Sequence, residues 1–108
     1  MIYHLTTLSH WESAQEKGFY TTESLEIEGF IHASKRNQVN RSANIFFKDF
    51  EKILLLLIDE KLLTAPLKYE LATDTNDEFP HIYGELNLDA IIKVEILEKK
   101  EDNLFQYQ

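Results

Sequence analysis

A chain of 108 residues, 44% of them hydrophobic, suffices for one core that buries roughly two-thirds of the unfolded surface but not for two ordinary domains. It contains no cysteine, which excludes disulfide staples, thiol nucleophiles and cysteine-ligated zinc and leaves any catalysis to oxygen and nitrogen groups. The net charge of -8 argues against DNA binding, because phosphates must be met by a basic surface.

In chain order, Ile2 to Thr6 reads as a short strand. Ser9 and Glu12 have the spacing of a capping box, so a first helix is expected from about His10 to Lys17, with Gly18 as its left-handed stop. An acidic connection follows, then a second strand from Phe30 to Ser34. Val39, Ala43, Phe46, Phe47 and Phe50 recur at helical spacing and define the buried stripe of a second helix. Trp11 and these phenylalanines read as core rather than as a platform for stacking bases.

The aliphatic run Ile53 to Ile58 reads as a strand buried on both faces, the centre of the sheet. It falls far short of the ~20 residues of a membrane helix. No basic-plus-apolar leader precedes it, so a cytoplasmic protein without membrane contact is expected. Leu67 to Leu71, Pro80 to Leu86 and Ile92 to Leu97 are further strands. Early helices and late strands do not alternate as in a doubly wound fold. The expectation is a single small α+β domain over residues 1–98 with a mixed sheet and two main helices, followed by a charged tail over 99–108 that frays.

Three segments share one pattern that points to a functional site. Residues two apart on a strand share a face, which pairs His4 with Thr6, His32 with Ser34, and His81 with Tyr83 and Glu85. Imidazoles, hydroxyls, a phenol and a carboxylate converging on one groove would suit hydrogen bonding and acid–base work near neutral pH. The alternative is three histidines satisfied separately by backbone partners.

From Gly29 to Lys48 there is no acid, and Lys35, Arg36, Arg41 and Lys48 are basic. With Ser34 as the cap of the second helix, this stretch is either a local anion site or a basic face solvated by water. No metal is expected. The stretch Asp74 to Glu78 begins like a calcium loop, but Phe79 stands where such a loop needs glycine, and the histidines lack paired metal-ligand spacing. No glycine-rich phosphate loop or nucleophile elbow occurs.

The motifs Ile2-Tyr3-His4, Gly29-Phe30-Ile31-His32-Ala33-Ser34 and Phe79 to Leu86 resemble those of an uncharacterised bacterial family, a domain of unknown function, over most of the chain. Tyr3-His4-Leu5-Thr6 followed by Phe30 to Ser34 also looks like the first two motifs of the ADP-ribosyltransferase superfamily, especially its RNA 2′-phosphotransferase branch. That resemblance implies a partly split sheet whose cleft takes NAD as substrate, or another nucleotide or phosphorylated ligand. It implies substrate-binding roles for His4, Thr6, His32, Ser34, Arg36 and His81, and catalytic roles for Tyr83 and Glu85. In the superfamily a glutamate holds the ribose 2′-hydroxyl as an oxocarbenium-like transition state forms; here Glu85, His81 or Tyr83 fills that slot, and Arg36 or Arg41 stands in for the branch's flanking arginines.

Overall fold

The computed structural model describes residues 1–72 and 76–108. Asp74 and Thr75, where the calcium-like stretch begins, lie outside the described residues. Strand β1 (Ile2–Thr6) leads into helix α1 (Leu8–Lys17), followed by β2 (Phe19–Tyr20), α2 (Glu23–Glu28) and β3 (Ile31–His32). A single 3₁₀ turn, Arg36–Gln38, opens into α3 (Val39–Phe46). The remaining strands are β4 (Lys52–Ile58), β5 (Leu67–Leu71), β6 (Glu78–Ile82), β7 (Leu86–Asn87) and β8 (Ile91–Glu98).

These strands form separate small sheets with orders β1-β4-β8, β2-β7 and β3-β6-β5. Every pairing among the described residues is antiparallel, which corrects the expectation of a mixed sheet. The helix-bearing excursion after Thr6 delivers the chain back to the end of β1 that it left, with Thr6 opposite Leu54. Strand β4 therefore runs back along β1, and no parallel crossover arises.

Strand β4 is central, as its unbroken aliphatic run requires. Alternate residues enter two cores: Leu56 and Ile58 join Ile2, Ala14 and Tyr20 on one face, with Trp11 packed against them. Ile53 and Leu55 join Tyr3, Leu5, Val39, Ala43, Leu97 and Phe105 on the other. Each such buried aliphatic side chain contributes roughly 1.5–3 kcal/mol by its removal from water.

The helix boundaries differ from the expected ones in instructive ways. Thr7, not Ser9, caps α1: its hydroxyl accepts the His10 amide at 3.3 Å, so the helix begins as soon as β1 ends. Gly18, at φ 88°, closes it as expected. The acidic connection contains a helix, α2, with Thr22 as cap, Glu23 and Glu26 in the first turn, and Gly29 at φ 92° as stop. Acids at a helix N-terminus are favoured by its dipole.

Ser34 caps no helix. Its backbone exchanges hydrogen bonds with Tyr3 at 2.7 and 2.9 Å, joining β1 to the end of β3. The side chain of Gln38 accepts the Lys35 amide instead and donates to the Glu78 carbonyl on β6. Helix α3 stops at Phe46, which is 73% exposed, so its buried face rests on Val39 and Ala43. The end of the tail is tied to α3: Asn44 holds both backbone polar groups of Phe105, and Asn40 both of Tyr107. Two asparagines one helical turn apart thus match alternate residues of an extended segment.

Candidate functional site

Strand alternation sends His4 and Thr6 to the face of β1 opposite Tyr3 and Leu5. There they meet Tyr20, which β2 carries in from beyond α1, and the group is buried, with Tyr20 only 2% exposed. His4 Nδ1 lies 2.6 Å from the backbone carbonyl oxygen of His32. A carbonyl only accepts, so this nitrogen carries a proton. Desolvation by burial pushes the His4 pKa down to about 4, against the opposing pull of that carbonyl, and the ring is neutral at neutral pH.

Its Nε2 is therefore bare and accepts the Tyr20 hydroxyl at 2.7 Å. The Tyr20 hydroxyl also lies 2.8 Å from the Thr6 hydroxyl. Burial pushes the Tyr20 pKa up to about 12. The chain Thr6, Tyr20, His4, His32 carbonyl satisfies every member, and among the described residues no buried side-chain nitrogen or oxygen lacks a partner.

The other two histidines meet on the β3-β6-β5 sheet. Register places His32 opposite His81 and His81 opposite Lys68, so the three side chains cross one face in a row. The His32 and His81 rings stand edge to face with centroids 5.3 Å apart. Phe30 stacks on His81 at 4.0 Å and an interplanar angle of 18° and meets His32 edge-on at 4.9 Å.

Two carboxylates complete the group. Glu28, the last residue of α2, approaches His32 Nε2 at 2.7 Å. Glu70, two residues beyond Lys68 on β5, binds both His81 Nδ1, at 2.8 Å, and the Tyr83 hydroxyl. These bonds, that from Tyr83 first and that from His81 second, hold the Glu70 carboxyl below its usual range. The same bond raises the Tyr83 phenol, and the Lys68 ammonium lies 5.0 Å from the centre of the Tyr83 ring.

Because Glu70 engages His81 at Nδ1, it fixes the ring's orientation, and the neutral ring then carries its proton on Nδ1 and keeps Nε2 as an acceptor. The arrangement combines an oriented imidazole, a second and exposed imidazole, a phenol and a carboxylate, which is a working set for proton transfer and for holding hydroxyls or phosphate oxygens. Among the described residues no three metal-ligating side chains are placed to hold a metal ion.

Of the residues singled out by sequence, the structure gathers His32, His81 and Tyr83. His4 and Thr6 lie in the buried chain behind them and reach the face only through the His32 carbonyl. Ser34 is buried at 7% exposure. Arg36 turns to the other side of β1, where its guanidinium is 3.5 Å from the Tyr3 hydroxyl and stacks over Tyr107. Glu85 is exposed and takes no part in the group, because β6 ends at Ile82 and Gly84 breaks the alternation that would align it with His81. Sequence reasoning missed Glu70, Glu28 and Phe30; the Lys68-Glu70 alternation on an expected strand was the one signal for Glu70.

Fold and site together define a small α+β domain that carries a histidine–carboxylate face on a three-stranded antiparallel sheet. A family model described as a protein of unknown function, DUF952, matches residues 5–94, and the chain belongs to that family. Among solved structures it is similar to protein CC0527 from Caulobacter crescentus. The crystal structure of that protein is 25% identical, with a TM-score of 0.86 over 97% of this chain and 92% of the other. Its solution structure is 26% identical, with a TM-score of 0.82 over 97% and 90%. No curated protein shows significant similarity to the chain.

Proposed function

We propose that the His32–His81 face binds a small nucleotide or phosphorylated ligand, and that Tyr83 and Glu70 assist transfer chemistry on its ribose, with NAD as the substrate to test first. The observation that carries this reading is the sharing of Glu70 between His81 Nδ1 and the Tyr83 hydroxyl. A carboxylate held in its ionised form beside a phenol and an oriented imidazole is suited to a ribose hydroxyl as positive charge develops at the anomeric carbon. Lys68 and the two imidazoles are the groups for a phosphate, and Phe30 supplies an apolar floor. In this reading Glu70 takes the part that the superfamily resemblance gave to Glu85, and His4 positions the face from behind.

The burial of His4 and the detachment of Glu85 favour a second reading, in which the same face binds its ligand without turnover. Calorimetry and a melting-temperature screen with NAD, ADP-ribose and AMP test both. Saturable binding is expected, weakened at least about tenfold by His32→Ala and by Glu70→Gln, the scale of one lost charge-assisted hydrogen bond. Release of nicotinamide from NAD, lost in Glu70→Gln, selects transfer over simple binding. If no nucleotide produces heat or raises the melting temperature at millimolar concentration, both readings fail.

A further inference from the structure

Strand β8 is the outer edge of the β1-β4-β8 sheet, eight residues long and paired only with β4. Just beyond its end Lys99 forms an antiparallel bridge with Phe105 of the tail, and ahead of that bridge no strand pairs with its other side among the described residues. A long open edge is a template for another strand unless it is blunted, and here it carries Ile92 at 53% and Ile96 at 62% exposure. Its one irregularity is the bulge that makes Ile92 the extra residue, between the pairings of Ile91 with Ile58 and Lys93 with Leu57.

The sequence of this edge, Ile92-Lys93-Val94-Glu95-Ile96, complements itself when reversed. We propose that β8 pairs antiparallel with β8 of a second copy, about a two-fold axis through Val94, and joins the two sheets into one. In that register Lys93 faces Glu95 of the second copy, Ile92 faces its Ile96, and Val94 faces its own counterpart. Opposite charges and apolar pairs directly across a ladder are what stabilise a sheet, and like charges there disrupt it. The contact is isologous and closes at two chains.

Lys93 and Glu95 now pair with each other at 3.1 Å along the strand, so the same charges are at hand for the neighbouring copy. A lysine in mid-edge ordinarily repels strands that lack a matching acid; this edge supplies the acid itself. Strand β5, the edge of the other three-stranded sheet, has a similar pattern in Leu67-Lys68-Tyr69-Glu70-Leu71. There Glu70 is held inside the candidate site by His81 and Tyr83 and the Tyr69 hydroxyl by Glu60, whereas on β8 the Lys93 side chain stays 64% exposed.

Light scattering or sedimentation of the full chain from about 5 to about 500 µM, the range of a small and weak interface, tests the proposal. The mass is expected to rise from one chain of 12.7 kDa towards two and no further. Lys93→Glu and Glu95→Lys should each raise the dissociation constant at least about tenfold, since each sets like charges across the axis. An equal mixture of the two variants should recover the dimer, because every cross-strand pair in the mixed dimer is again of opposite charge. Mixing cannot restore the ion pair within a chain, so recovery reports on the contact between chains. Glu95 also touches Tyr107; if Glu95→Lys disturbs the tail, Ile96→Lys should give the same loss of dimer in a folded chain. A protein monomeric throughout, variants that associate as well as the parent, a mixture that stays monomeric, or growth beyond two chains by β8 pairing with β5 would each overturn it.

Discussion

The buried chain at His4 and the face at His32 and His81, on which His32 is exposed and His81 is buried, start from the same device, a histidine and a hydroxyl-bearing residue two apart along one stretch of chain, and end in opposite chemistry. His4 gives both ring nitrogens to internal partners and is only 8% exposed, so its ring is a fixed, neutral link between β1, β2 and the backbone of β3. His32 leaves 54% of its side chain exposed and is tied to a carboxylate that is 47% exposed. His81, itself enclosed, sits against a carboxylate that solvent reaches. Residue type and spacing do not distinguish a structural histidine from one available for chemistry. The partner does: backbone carbonyl and buried phenol in one case, ionised glutamate in the other.

The comparison breaks most readily at His4. His4→Ala should destabilise the protein by about 3 kcal/mol in urea unfolding, because it removes packed volume and strands the Tyr20 hydroxyl and the His32 carbonyl together. A loss near zero would show that the buried chain does not hold β3.

Acid should act on the same residue. The folded pKa of about 4 lies below the ordinary 6.5, so between these values the unfolded state binds a proton that the folded state refuses. Stability is then full above about pH 6.5 and falls as the pH drops towards 4, by up to about 3 kcal/mol in total. Unfolding curves across that range should show the slope in the parent and lack this part of it in His4→Asn. An unchanged slope in the variant would assign the acid sensitivity to other groups.

Tyr20→Phe, which removes one hydroxyl from between two partners, should cost about 1.5 kcal/mol. His32→Ala should change stability by no more than about 0.5 kcal/mol, since an exposed pair such as His32–Glu28 is worth little. If His32→Ala proved as damaging as His4→Ala, the distinction between structural and available histidine would collapse.

Much of the scaffold was legible in the chain. The alternation of Ile2 to Thr6 and the aliphatic run Ile53 to Ile58 predict their strands because a two-sided buried strand has no other economical sequence. Gly18 predicts a helix stop because few residues tolerate its backbone angle. Helix α2 was illegible as a pattern: six residues give too few turns for a periodicity, and its caps, Thr22 and Gly29, are the only signals. The end of α3 was misjudged because Phe46 and Phe50 carry helical spacing yet remain exposed.

What the sequence by itself determined was the single α+β domain, the central strand and the presence of polar residues on alternate positions of β1, β3 and β6. Only the tertiary structure decided which of them meet. Tyr20 comes to His4 across 16 residues of sequence, and Glu70 comes to His81 across 11, through pairing registers that no local pattern encodes. Registers are set by how whole hydrophobic faces pack together, so a one-residue choice made in the core settles which carboxylate faces which imidazole at the surface.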